Sequence, residues 1–360
     1  MNKCKYTVLD LFCGCGGISE GYSLSGFEII GGIDFNKDAT LTFQHNFKKA
    51  KVFCDDISLI DDETIKKYYS GVDVIVGGPP CQGFSSANRH QKEMDDPRNK
   101  LFFQYIRFVE ILQPKFFMIE NVRGLLTRDN GYAKNRITEI LSNSGYNIQM
   151  NVLDASEYGV PQNRHRAIIV GIKREFKDII FDFDKLIKRD KVTVDDAIGE
   201  LYSYEDNRED CKLIAQAPSS PFRRYLRRED NIITNAQINY PAQIVQERIK
   251  HVPQGGNWHD VPEHLWPSQR NNRHSSAYKR LKQDDQSCTI DTGNAHSNYF
   301  HPLYNRIPTV RESARLQSFP DSFEFLGSRG STYRQVGNAV PPLLAKAIAD
   351  NIKNILNENN

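Results

Sequence analysis

From Tyr6 to Lys173 two residue patterns alternate, and that alternation limits the folds open to the chain. Short apolar runs occur at TVLDLF, FEIIGGID, KVFCDDI, VDVIVGG, FFMIENV, YNIQMNVLD and RAIIVGI, rich in Val, Ile and Phe and bounded by Gly, Pro, Asn or Asp. Such runs suit buried strands. Between several of them lie amphipathic stretches such as NKLFFQYIRFVEILQ and AKNRITEILSNSG. Leu101, Tyr105, Phe108 and Leu112 recur at helical spacing, and Gln113-Pro114 predicts the end of that helix. Strand and helix in turn mean crossover connections and a largely parallel sheet, an α/β class in which ligands bind at the carboxyl ends of strands.

After Lys173 the rhythm fails, and residues 174 to about 305 are polar and irregular. Helical pattern returns in TVRESARLQ and in PPLLAKAIADNIKNIL, whose apolar face is expected to pack back on the first domain. The expected organisation is a discontinuous large domain, residues 1–173 and 320–360, and a smaller second domain, residues 174–319. A chain of 360 residues, 39% hydrophobic and 26% charged, can build two globular cores. Its formal net charge of +2 neither requires nor excludes a polyanionic partner, because a local basic face can hide in a balanced total. No apolar run approaches the roughly 20 residues that span a bilayer, and MNKCKYTVLDLF turns straight into a strand pattern, so a cytoplasmic protein without a membrane partner is expected. The seven cysteines are scattered, none has CxxC spacing, and His259 and His264 lack the glutamate of an HExxH motif. Neither a disulfide framework nor a metal site is expected.

Two stretches carry candidate chemistry. DLFCGCGGISEG follows the first strand pattern and opens the first helix, where glycines let backbone pass close to a ligand. Asp34 ends the second strand, placed to accept hydrogen bonds from the ribose of an adenosine, and Asp56 follows the third. Ser19 stands where the NAD fingerprint GxGxxG needs its third glycine, which favours nucleotide binding over pyrophosphate binding. A tight strand-to-helix turn without a ligand is an equal alternative on these residues alone. The second stretch is VIVGGPPCQGFSS, in which Cys81 directly follows a strand pattern, two glycines and two prolines. The prolines restrict the backbone and the glycines admit a ligand, although a lone cysteine is more often a buried structural thiol.

With DLFCGCGG, GGPPCQGFS, IENVRG, QNRHRAIIVG, RESARLQSFPD and QVGNAV in this order, the chain resembles the DNA cytosine-5 methyltransferases of bacterial restriction–modification type. The resemblance runs from residue 10 to about 345. It implies a Rossmann-like fold, S-adenosyl-L-methionine as cofactor and an irregular DNA-recognition domain. By resemblance Phe12 packs on the adenine, Gly14, Cys15, Gly16 and Gly17 border the methionine part, and Asp34 holds the ribose. Phe35, where a tryptophan is often found, covers the adenine; Asp56 and Ile57 lie at its edge; Pro80 and Leu101 line the pocket, and Asn338 with Ala339 closes it. Cys81 is the implied nucleophile toward C6 of cytosine, Glu120 acts at N3, Arg166 contacts O2 and Arg164 supports it. In QNRHR the two arginines alternate, so both are expected on one side of a strand, with His165 packing on the other.

A base inside a duplex cannot reach such a pocket, so a flipped-out cytosine is implied. The loop SSANRHQKEMDDPRN, with Ser85, Arg89, Lys92 and Arg98, reads as a lid over DNA. In FRRYLRR, Arg223, Arg224, Arg227 and Arg228 are candidate DNA contacts, since arginine suits phosphates and guanine edges. Double-stranded DNA is the expected partner, bound by a monomer associated with the nucleoid through its substrate, with a companion restriction endonuclease acting on the same site. Rival readings are a tRNA cytosine-5 methyltransferase, whose Cys-Phe-Thr motif is missing here, and a NAD-dependent oxidoreductase, which leaves Cys81 and Glu120 unexplained. A catalytically dead DNA-binding relative is disfavoured because every catalytic position is filled.

Overall fold

The seven apolar runs form a single seven-stranded sheet, β1 (Thr7–Leu11), β2 (Glu28–Asp34), β3 (Lys51–Cys54), β4 (Val74–Gly77), β5 (Phe116–Val122), β6 (Tyr146–Asp154) and β7 (His165–Lys173). Strand order is β3-β2-β1-β4-β5-β7-β6. In this computed structural model the described residues are 6–80, 99–127, 132–176, 179–204, 213–215, 217–227, 229–266, 277–292 and 299–359. β1 to β5 run parallel, whereas β7 is antiparallel to both its neighbours, β5 and β6. The chain divides into two units: Met1–Ala155 with His165–Lys188 and Val340–Asn360, and Ser156–Arg164 with Arg189–Ala339. Residues 174–188 therefore group with the sheet, and residues 320–339 with the second unit.

In the first unit the helices are α1 (Gly17–Leu24), α2 (Lys37–Asn46), α3 (Asp62–Tyr69), α4 (Lys100–Leu112), α5 (Gly124–Thr127) and α6 (Tyr132–Asn143). Neighbouring glycines of β2 show that the sheet is covered on both faces. A Cβ on Gly31 would strike Tyr69 of α3, and one on Gly32 would strike Phe43 of α2. Leu9, Leu11, Ile75, Phe117 and Ile119 share one buried cluster with Tyr69, Phe102, Tyr105, Phe108, Ile137 and Leu141 of α3, α4 and α6. α4 ends at Leu112, where the Gln-Pro pair predicts its end, and Gln113 adopts the left-handed conformation. A terminal helix, Pro342–Glu358, buries Leu344, Ile348, Ile352 and Leu356. It packs so tightly on α1 that a Cβ on Gly21 would overlap Ala345, and Lys353 Nζ donates to the Ser25 carbonyl at 2.6 Å.

The second unit contains α7 (Val194–Ile198), β8 (Leu213–Ile214), α8 (Pro221–Leu226), β9 (Ile232–Ile233), α9 (Gln243–Lys250), β10 (Lys279–Arg280), β11 (Tyr299–Phe300), α10 (Val310–Leu316) and α11 (Arg329–Asn338); the terminal helix of the first unit is α12. With two-residue strands and short helices, side chains carry much of its cohesion. RESARLQSFPD supplies α10, and every residue from Val310 to Leu316 is buried. Arg315 forms a two-pronged pair with Asp321 at 2.9 and 2.6 Å and reaches Glu200 at 2.6 Å. Arg306 pairs in the same way with Glu312 at 2.8 and 3.0 Å. Burial opposes ionisation of Glu312, but Arg306 and His301 hold its carboxyl down at about 2. Removing one partner of such a pair leaves a charge in low dielectric. Arg315→Met is expected to destabilise the second unit by about 3–5 kcal/mol, read as a lower urea midpoint; an unchanged midpoint would show that the two carboxylates find other partners.

Candidate active site

The parallel registers bring the loops after β1 to β5 to a common edge. Leu11 is opposite Ile33 and Gly77, Asp34 opposite Cys54, and Gly77 opposite Ile119. Strand order reverses between β1 and β4, which opens a crevice where α/β sheets bind ligands. The two central strands approach closely: a Cβ on Gly77 would run into the Leu11 carbonyl oxygen. Gly77 thus serves strand packing, whereas the nearest atom to a Cβ on Gly78 is Glu120 Oε2, at 3.2 Å.

The loop after β1 turns through positive φ at Phe12 (59°), Gly14 (52°) and Gly16 (102°). A Cβ on Gly14 would meet nothing within 4 Å, so the loop faces open space there, while one on Gly16 would meet Phe47 and Phe43. Asp34 Oδ2 accepts the Gly14 N–H at 2.9 Å and Oδ1 accepts the Asn36 N–H at 2.8 Å. A carboxylate offers about four lone-pair sites, so Asp34 can accept a further donor beside its backbone partners. Gly17 opens α1 beside buried Cys15, and burial pushes the Cys15 thiol up to about 12 and that of Cys13 well above its usual value. Neither is a thiolate near neutral pH.

The rest of the edge is arranged around exposed Phe35, which leaves 76% of its surface open. Asp56 caps the turn Ile57–Leu59 by accepting the Ser58 N–H at 2.8 Å, a bond that holds its carboxyl below the usual range, and Ile57 is buried. Arg107 on α4 fixes that turn, donating to the carbonyls of Ile57 at 3.2 Å and Ile60 at 2.6 Å. Leu101, half-buried, lies on the same helix, and Pro80 is exposed. Cys81 itself, with Ser85, Arg89, Lys92 and Arg98, lies outside the described residues.

Glu120 and Arg166 meet through the antiparallel pairing of β5 with β7. Val122 is opposite Arg166, so Glu120 is its diagonal neighbour on the same face. Arg166 Nε lies 2.7 Å from Glu120 Oε1, with both side chains largely buried. Asn121 Nδ2 donates to the Pro79 carbonyl at 2.8 Å, tying the segment before Cys81 to the end of β5.

The sequence pattern placed Arg164 beside Arg166, but the structure parts them. Arg164 precedes β7, belongs to the second unit, is buried, and donates to the carbonyls of Ile290 at 2.9 Å, Gly337 at 3.1 Å and Ala339 at 3.0 Å. Asn338 ends α11 and Ala339 caps it, both within the second unit. His165, expected in packing, is half-exposed with Nε2 3.5 Å from Asp154 Oδ2. In FRRYLRR two arginines are committed inside the second unit. Arg223 donates to the carbonyls of Asp195 at 2.6 Å and Asp196 at 3.0 Å, and Arg227 to Glu200 at 3.1 Å. Arg224 is exposed, and Arg228 lies outside the described residues.

One feature of the edge was missed. Ser19, read only as a break in a glycine motif, donates its hydroxyl to Asp10 Oδ2 at 2.7 Å in full burial. Burial raises the Asp10 carboxyl to about 7 against the pull of that bond, and Asp10 Oδ1 has no hydrogen-bond partner. The available signal was an aspartate in the middle of an apolar strand pattern, TVLDLF.

A glycine turn, a strand-end acid and a reversal of strand order suit an α/β protein with a ligand crevice at this edge. Comparison with known proteins makes this specific: residues 6–354 match the family model for C-5 cytosine-specific DNA methylase, and the chain belongs to that family. It is a DNA (cytosine-5-)-methyltransferase. It is 35% identical to the type II methyltransferase M.DdeI of Desulfomicrobium norvegicum over 98% of this chain and 91% of that protein. It is 37% identical to M1.HphI of Haemophilus parahaemolyticus over 96% of this chain and 86% of that one. Among solved structures, a prophage-encoded E. coli protein superimposes with a TM-score of 0.80 at 29% identity, covering 98% of this chain and all of that one.

The buried Asp10 has a direct consequence. Its folded value lies above the unfolded one, so its contribution to stability is full below about 3.8 and lost as pH rises through about 7. Asp10→Asn is therefore expected to gain stability relative to the parent between pH 5 and 7.5 in urea titrations. A difference that stays flat over that range would show that Asp10 is ionised in the fold.

Proposed function

We propose that the chain transfers a methyl group from S-adenosyl-L-methionine to C5 of a flipped-out cytosine in duplex DNA, through a covalent bond between Cys81 and C6. The observation that carries this reading is the Glu120–Arg166 pair at 2.7 Å beside Gly78, three residues before Cys81. The residues of the strand-end edge suit the cofactor: the loop at Gly14 faces open space, Asp34 can accept a ribose hydroxyl, and the Phe35 ring is free to cover an adenine. Phe12, Cys15, Gly16, Gly17, Asp56, Ile57, Pro80 and Leu101 complete that set, while the roles of Asn338 and Ala339 rest on resemblance alone. When bound, S-adenosylmethionine supplies an electrophilic methyl group.

Cytosine C5 is a poor nucleophile, and covalent catalysis divides the difficulty. The Cys81 thiolate adds to C6, breaking the C5–C6 π bond and sending electron density to C5 and toward N3 and O2. Glu120 gives N3 a proton, and the Arg166 guanidinium faces O2, where donors act on charge as it develops. Once C5 carries the methyl group, its proton leaves to water, the electron pair re-forms C5–C6, the thiolate is expelled, and N3 returns its proton to Glu120. Arg164 acts at a distance in this reading, as a support. The second unit reads the duplex, the segment after Cys81 covers the extruded base, and a companion endonuclease cuts the same sequence when it is unmethylated.

Duplex DNA carrying 5-fluorocytosine at the target position tests the covalent step. Fluorine cannot leave as a proton does, so a denaturation-resistant adduct is expected in the presence of S-adenosylmethionine. Adduct formation by Cys81→Ala would remove Cys81 from its role, and methylation of tRNA but not of DNA would favour the RNA reading. Arg166→Lys keeps the charge but loses the planar fork, and is expected to lower kcat about 100-fold with little change in KM for S-adenosylmethionine. A near-normal kcat would place the O2 contact elsewhere.

A further inference from the structure

The second unit contains a cleft of about 190 Å³ lined by Asn235, Gln237, Asn239, Arg329, Thr332 and Tyr333, among others. One wall is an extended strip with a period of two. Ala236 and Ile238 are buried, so Gln237 and Asn239 face out of the same side. The strip is clamped at its start. Asn235 Nδ2 donates to the Phe325 carbonyl at 2.9 Å and its Oδ1 accepts the Phe325 N–H at 3.0 Å, while the Arg311 N–H and guanidinium reach the carbonyls of Asn235 and Thr234 at 2.9 Å. The strip is thus anchored two residues before Gln237, and Asn239 Nδ2 donates to the Gln237 carbonyl at 3.4 Å.

Charge at the cleft is of a different kind from charge in the core of the unit. Arg306, Arg311 and Arg315 are buried against carboxylates or carbonyls. Arg329 is exposed, lies over the Tyr333 ring at 5.7 Å, and has no ion pair among the described residues. Arg334, five residues along α11, is also exposed. Asparagine and glutamine amides match the donor and acceptor edge of adenine, and an exposed arginine whose charge is not met by a carboxylate matches a phosphate.

We propose that this cleft is a DNA-contact subsite of the second unit, with Gln237 and Asn239 reading base edges and Arg329 holding a backbone phosphate. The inference rests on the methyltransferase reading but names a surface that FRRYLRR does not provide, since Arg223 and Arg227 are used internally. Modified cytosines are first mapped in DNA from cells expressing the full chain, which fixes the cognate sequence. Binding of labelled cognate duplex, and of duplexes with single base changes, is then measured at several salt concentrations. Gln237→Ala with Asn239→Ala is expected to reduce discrimination between cognate and altered duplexes by roughly tenfold or more at one or two positions. Arg329→Gln is expected to weaken binding to all duplexes alike and to lower the slope of log affinity against log salt by about one. Parent-like binding, slope and site preference in both variants, with parent-like melting, would overturn the subsite while leaving the enzyme assignment intact. Should the parent bind duplex DNA without methylating it, the function reading fails, and the salt slope of Arg329→Gln, which needs no cognate sequence, still decides the phosphate contact at the cleft.

Discussion

The geometry of the first unit depends on how closely β1 and β4 lie. A residue larger than glycine at position 77 would collide with the Leu11 carbonyl, so the central pair is pinned at the point where the order of strands reverses. From there the order of strands runs outward in opposite directions, to β2 and β3 on one side and to β5 and β7 on the other. The glycine turn and Asp34 lie on one side of that divergence and Pro79 and Pro80 follow β4 on the other, and a crevice at such a reversal is where an α/β sheet accepts a ligand.

The second dependence is electrostatic. β7 enters the sheet antiparallel between β5 and β6, which sets Arg166 diagonally across from Glu120. A carboxylate at a strand end needs no partner while it is wet, but Glu120 is mostly buried. The arginine therefore compensates a buried carboxylate within the fold itself: its Nε lies 2.7 Å from Glu120 Oε1 and another of its donors reaches the His165 carbonyl at 2.9 Å.

The sheet was legible because burial on both faces leaves a strong mark on composition: all seven apolar runs became strands, and the spacing of Leu101, Tyr105, Phe108 and Leu112 became α4. The antiparallel insertion of β7 left no such mark, since a buried strand has the same composition in either direction. That is why two arginines two residues apart looked equivalent. Arg164 and Arg166 are separated by the start of β7, and only Arg166 sits in its ladder. The arginines of FRRYLRR illustrate the same limit. A charge run on a short helix resembles a solvated face, yet Arg223 is drawn in by the carbonyls of Asp195 and Asp196 in α7 and Arg227 by Glu200.

A unit poor in regular structure has many backbone carbonyls without ladder partners, and burying them unpaired costs about 1–3 kcal/mol each. Guanidinium groups solve this locally, because one side chain can satisfy several carbonyls in different directions. Arg311 binds those of Thr234, Pro320 and Phe323, and Arg164 those of Ile290, Gly337 and Ala339. Leucine in their place would bury more apolar surface and strand every one of those oxygens. Most buried arginines of the second unit thus stand in for the secondary structure it lacks, while among its described residues Arg224, Arg329 and Arg334 are left exposed.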